Sequence, residues 1–165
     1  MKKIFLLVVL AISTVFVANA QKKTGYVNST EIMQALPEYK KAMTDYETFV
    51  NKLQADYEAL GKEYETKVKD FEAKASTMTE AMKEVKIKEI QNLQTSLQSF
   101  EAKVQDEMQK KEADLMRPLF EKVNKAIEAV GKNQGYDYIY NMQALLFAKD
   151  SENITGAVKT QLGIK

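Results

Sequence analysis

Residues 46–68 read YETFVNKLQADYEALGKEYETKV. The apolar members Tyr46, Val50, Leu53, Tyr57, Leu60, Tyr64 and Val68 are spaced 4, 3, 4, 3, 4 and 4 residues apart. That is the stripe of a helix that packs against another helix. The final step of 4 sets an eleven-residue unit, Tyr57 to Val68, inside the heptads, and such a unit relaxes a left-handed supercoil. The stripe continues through Phe71, Ala75, Met78 and Met82, and a second one runs through Ile90, Leu93, Leu97, Phe100, Val104, Met108 and Leu115. Both lie in the 80 residues between Pro37 and Pro118, which hold no proline and one glycine, Gly61. So little interior is available there that the stretch reads as two long arms, and arms hold things rather than catalyse.

Two arms need a turn. Around Ala73 to Thr79 (AKASTMT) the residues become small and hydroxylated, which places the tip near residues 73–80. Ser76 or Thr77 can cap the return helix, and Thr77 with Glu80 has capping-box spacing. An arm of about 40 residues is about 60 Å long. The alternative is one unbroken helix in a parallel coiled coil, but two arms of similar length close a hairpin and bring the chain ends together. The return helix passes Pro118, where a kink is expected. It continues on Leu119, Val123, Ile127 and Val130 to Gly131, a natural C-cap region.

The flanks differ in character. Lys2 and Lys3, the apolar run Ile4–Val17 and Ala18-Asn19-Ala20 form the pattern of an export signal cleaved after Ala20. Thr24–Asn28 reads as a strand and Glu31–Leu36 as a short helix capped from Asn28, Ser29 or Thr30. Pro37 suits the first turn of the next helix. Gly135–Asn141 and Gln143–Lys149 read as two strands joined by a tight turn at Asn141-Met142, and Ile154–Leu162 as a helix capped by Asn153. The expected fold is α+β and mostly α. Residues 22–40 plus 119–165 form a β-rich oligomerisation body, and residues 41–118 a coiled-coil hairpin inserted into it. Such a body is marginal alone, and its sheet has edges to cover, so oligomerisation is expected.

Composition excludes much chemistry. The chain has no cysteine and no histidine, so it has no disulfide, no Cys or His nucleophile and no zinc site of the usual ligands. No glycine-rich phosphate loop and no nucleophile elbow is present. Without residues 1–20 the 145 remaining residues carry 22 basic and 23 acidic groups, a net charge of −1. Neither an enzyme nor a nucleic-acid binder is expected, and no cofactor or metal.

Three stretches together resemble the Skp/OmpH family of periplasmic chaperones. They are Gly25-Tyr-Val-Asn28 leading to Pro37-Glu-Tyr-Lys-Lys-Ala42, Pro118 with Ile127 and Val130 running into Gly135-Tyr-Asp-Tyr-Ile139, and Leu145-Leu-Phe-Ala148 followed by Asn153-Ile-Thr155 and Val158. In the third, Asn153 stands where the family usually has Asp. The resemblance implies a homotrimer whose small body is the hub and whose hairpins surround a cavity. It implies a periplasmic holdase that keeps unfolded outer-membrane β-barrel proteins from aggregating without ATP. Family members are often strongly basic, and this chain is close to neutral. A structural spacer or adaptor of the cell envelope is the alternative.

Candidate contact residues follow. Lys74, Lys83, Lys86 and Lys88 oppose Glu80 and Glu84 near the tip and could steer acidic clients or touch an anionic membrane surface transiently. Against that stands an ordinary solvated face. Met78 and Met82 are soft groups suited to promiscuous contact, unless they pack between the arms. Tyr26, Val27, Tyr138, Ile139, Leu145 and Phe147 are the candidates for oligomerisation through the body. Asn28-Ser-Thr30 and Asn153-Ile-Thr155 match the glycosylation pattern and read as cap chemistry.

Overall fold

A computed structural model describes residues 22–164; the expected export signal lies outside the described residues. The order is β1 (Thr24–Val27), α1 (Ser29–Ala35), α2 (Pro37–Lys74), a 3-10 turn (Ala75–Thr77), α3 (Glu80–Gln134), β2 (Tyr138–Asn141), 3-10 turns at Met142–Ala144 and Asp150–Glu152, and α4 (Thr155–Gln161). This is an α+β fold dominated by a helical hairpin. The chain forms two compact units, Glu38–Pro118 and the residues that flank it, with the division at the two prolines.

In the flanking unit β1 and β2 pair in parallel, Thr24 opposite Tyr138 and Val27 opposite Asn141. A parallel pair needs a long crossover, and here the crossover is α1, α2 and α3. The other side of β1 is occupied too: Tyr26 bridges Asn153, and the Ile154 N–H donates to the Tyr26 carbonyl at 2.9 Å. Ile32, Leu36 and Val158 are fully buried, with Tyr26, Val27, Leu119, Val123, Ala126, Val130 and Ile154 around them. The α3 face therefore runs through Ala126, while Ile127 is half-buried.

The helix ends explain themselves locally. The Asn28 side chain accepts from the Glu31 N–H at 3.1 Å and caps α1. Asn153 is not the cap of α4: the N-cap is Ile154, which has no side-chain cap bond, and Asn153 Oδ1 instead accepts from the Thr155 N–H at 3.0 Å in the turn that leads into the helix. Thr155 Oγ1 accepts from the Asn28 N–H at 2.9 Å and ties that turn to the cap of α1. Gly131 does not end α3. The helix runs to Gln134, and Gly135 takes the left-handed conformation at φ 68°. Tyr136 N–H reaches the Gly131 carbonyl at 2.9 Å and Gly135 N–H the Lys132 carbonyl at 3.4 Å, the pair of bonds of a Schellman end. Gly131 instead lies close under Ile139, whose Cδ1 would be 3.0 Å from a Cβ there and would have to shift by a few tenths of an ångström.

One expected hairpin does not form. Tyr138–Asn141 finds its partner in β1, more than a hundred residues earlier, and not in Gln143–Lys149. The Asn141 side chain accepts from the Gln143 N–H at 3.2 Å and folds Met142–Ala144 into a 3-10 turn. Gln143 Nε2 then donates to Thr30 Oγ1 at 2.9 Å, which holds the turn against the start of α1. Residues 145–149 carry no strand assignment, and the sheet has two strands among the described residues. "β-rich" is thus too strong a description of the body.

In the second unit α2 begins on Pro37, whose missing N–H is unneeded at a first helical position. Its 38 residues span about 57 Å at 1.5 Å per residue. Several side-chain contacts join α2 to α3. Tyr57 and Phe100 rings lie 5.7 Å apart, Lys67 Nζ sits 3.3 Å from Glu89, and Lys111 Nζ lies 5.7 Å over the Phe49 ring. The residue numbers of these pairs add to 156–160, twice the number of a residue in the turn, so the register is that of a symmetric hairpin. Leu53 is the buried member of the stripes; the others from Val50 to Leu115 are half-buried, except Met82, which is exposed. Two helices alone cover a seam from two sides only.

The turn itself is Ala75–Thr77 followed by Met78 and Thr79. The cap of α3 is Thr79, whose Oγ1 accepts from the Met82 N–H at 3.4 Å. Ser76 and Thr77 are not the cap: Thr77 Oγ1 donates backwards to the Lys74 carbonyl at 2.9 Å. At Pro118, α3 continues unbroken although the Asp114 carbonyl loses its donor.

Candidate functional site

Two surfaces carry the candidate residues, one on the hairpin and one on the body. On the hairpin the apolar stripe changes sides near the tip. Lys83 and Lys86 take inward positions, with side chains 31% exposed, while Met82 and Val85 are 53% and 57% exposed. Ile87 is exposed as well and Met78 is half-buried. Apolar groups thus face solvent where the helix pattern would hide them.

The tip lysines are engaged. Lys74 pairs with Asp70 one turn back, Lys83 with Glu80 at 2.7 Å, and Lys86 with Glu89 at 2.9 Å. Glu89 also takes Lys67 from the opposite arm, and the hydrogen bonds from Lys86 and then Lys67 hold its carboxyl below the usual range. The hydrogen bond from Lys74 does the same to Asp70. Lys88 is exposed. A basic tip in the sense of unpaired cations is not what these residues build.

Farther down the arm, the Tyr57 hydroxyl donates to Glu101 on the facing helix, which raises the phenol above its ordinary value. With Lys67–Glu89 this gives the hairpin two polar cross-arm contacts among the described residues. Each fits one register only.

On the body, Leu146 is fully exposed and Phe147 is 83% exposed. Tyr138 and Tyr140 are exposed, their rings stacked 6.3 Å apart, and Met142 is exposed beside them in sequence. One edge of β2 carries no strand among the described residues. Ile139 and Leu145 are half-buried. Tyr26 and Val27 are buried inside the body, so their side chains offer no surface to another chain. The sequence pattern does not single out Leu146 or Met142, while the alternation of Tyr136, Tyr138 and Tyr140 already marks Tyr140 for strand core or a subunit interface. Leu146 stands beside Leu145 and Phe147 in one apolar run, and only the failure of that run to become a strand explains its exposure.

A long two-helix hairpin carried between the strands of a small parallel pair defines the class of fold. Residues 23–162 match the family described as outer membrane protein (OmpH-like), and the chain belongs to that family. The fold is similar to the crystal structure of an OmpH-like protein from Caulobacter crescentus, described there as a candidate outer membrane chaperone. The TM-score is 0.75 at 18% identity, over 88% of this chain and 86% of that one. No curated protein matches the sequence.

Proposed function

We propose that the protein is a periplasmic, ATP-independent holdase for unfolded outer-membrane β-barrel proteins, working as a homotrimer. The observation that carries the reading is the hairpin itself: a stripe of large apolar residues, half-buried except at the buried Leu53 and the exposed Met82, with Val85 and Ile87 exposed beside it near the tip. A chain-binding surface needs many weak, adaptable contacts, and half-covered aromatic and methionine side chains supply them. Family membership supports a chaperone role in general terms.

The body supplies the hub in this reading. Tyr138, Tyr140, Leu146 and Phe147 are the side chains available to it, and the open edge of β2 can accept a strand from a neighbouring copy. The tip touches clients through Met78 and Met82. Lys88 is exposed and can serve acidic clients or an anionic membrane surface directly, whereas Lys74, Lys83 and Lys86 do so only at the cost of their present ion pairs.

The test is dilution of a urea-unfolded outer-membrane barrel protein into buffer with and without the chain, read by light scattering. Suppression at one trimer per client is expected. Unchanged scattering would leave the alternative, a spacer or adaptor of the envelope. Sedimentation checks the hub separately: a monomer at micromolar concentration rejects the trimer.

A further inference from the structure

The shaft of the hairpin differs from its tip in charge and in shape. Residues 44–66 carry six acidic groups and two lysines, and residues 90–114 carry five acidic groups and three lysines, a net charge of −6. Residues 67–89 carry six lysines and five acidic groups, a net charge of +1. The acidic shaft also holds an open groove of about 340 Å³ between α2 and α3. Its walls are Val50, Leu53, Tyr57, Phe100, Val104 and Met108. Gln54 from α2 and the carboxylate Glu101 from α3 complete its lining.

We propose that this mid-shaft groove binds extended apolar segments of unfolded chains that carry lysine or arginine beside an aromatic residue. The inference rests on the holdase reading and names the segment chemistry that the arm selects. An aromatic side chain fits the groove by size and by its partners, since the tilted Tyr57–Phe100 pair offers a ring edge and Met108 a polarisable sulfur. The Glu101 carboxylate and the charge of the shaft attract a neighbouring cation and repel an acidic segment. The shaft already makes such a contact within itself, where Lys111 lies 5.7 Å over the Phe49 ring. An acidic client is therefore not what the shaft is built to hold.

The test uses the whole protein and two peptides of equal length, one alternating Phe with Lys and one alternating Phe with Glu. The Lys peptide is expected to bind at least about tenfold more tightly, with the difference shrinking as salt is raised. Val104→Phe fills the groove from within and lowers affinity for the Lys peptide by about tenfold while circular dichroism is unchanged. Glu101→Gln lowers it by about two- to fivefold. Should Val104→Phe disturb the helices, a photo-crosslinkable Phe analogue in the Lys peptide keeps the question open to refutation. Crosslinks to residues 50–57 and 100–108 support the groove, and crosslinks confined to residues 78–87 overturn it. Equal binding of the two peptides also overturns it. If the intact chain suppresses aggregation and Val104→Phe does so equally, this inference fails and the holdase reading stands. If the peptides behave as expected but no client is protected, the holdase reading fails alone.

Discussion

Gly25 sits where three segments of the body meet, and replacing it tests the packing of β1 directly. A Cβ at this position would lie 2.9 Å from Tyr136 Cε1, 3.2 Å from Tyr136 Cδ1 and 3.3 Å from the Glu152 carbonyl oxygen. Ordinary contact begins near 3.4 Å, so the ring must retreat by about half an ångström. The ring is not free to do so without loss, because Lys23 Nζ lies 4.2 Å over it and the Tyr136 N–H closes the end of α3. The Glu152 carbonyl belongs to the segment that pairs with β1 on its other side. Overpacking of this kind costs about 1–3 kcal/mol. For a body of this size each kcal/mol moves the midpoint by about 4–8 °C. Gly25→Ala should therefore lower the body's thermal midpoint by at least about 5 °C, followed by tyrosine near-ultraviolet circular dichroism. Tyr136→Ala in the same chain should return part of that loss, since the two sites share one contact. A Gly25→Ala protein as stable as the parent, or a double variant whose losses simply add, would refute the packing argument.

Other outcomes follow from the same geometry. Asn28→Ala removes the cap of α1 and should cost about 1 kcal/mol in chemical unfolding. Gly61 lies in mid-helix, and a Cβ there would meet nothing within 4 Å, so Gly61→Ala should stabilise the arm by about 0.5–1 kcal/mol. Glu89 and Asp70 have lowered carboxyl values, so the stability they lend is present above the usual carboxylate range and is lost as pH falls through their folded values. Amide protection in residues 67–90, corrected for the base-catalysed intrinsic rate, should thus be flat near neutrality and fall at acid pH, and protection that falls instead on going alkaline would contradict the assignment. Phe147→Asp with Leu146→Asp should shift sedimentation towards monomer without loss of helix content.

The hairpin was legible because its signal is long and repeated. Heptad steps from Tyr46 to Val68, a second stripe from Ile90 and two prolines at the ends leave few alternatives. The start of α2 was legible because one residue, Pro37, decides it. Where several residues compete, tertiary context chose: Thr79 over Ser76 and Thr77, Gly135 over Gly131. The strand after Gly135 was visible from its alternation, but its partner was not, because parallel pairing across the whole insertion leaves no local mark. The inward lysines at the tip break the apolar pattern, and a stripe followed by residue type alone runs onto Met82, which faces outward. The shaft groove depends on how two half-buried stripes meet. Only the charge contrast between shaft and tip could have pointed to it.

If the arms do the holding, a chain without them assembles but protects nothing. A chain lacking residues 44–114, its ends joined by a short glycine-serine linker, loses both the shaft groove and the tip and keeps every residue of the flanking unit. Light scattering from a urea-unfolded outer-membrane barrel protein should be suppressed by the intact chain and not by the shortened one, with both sedimenting as trimers. Equal suppression by the shortened chain would contradict the account.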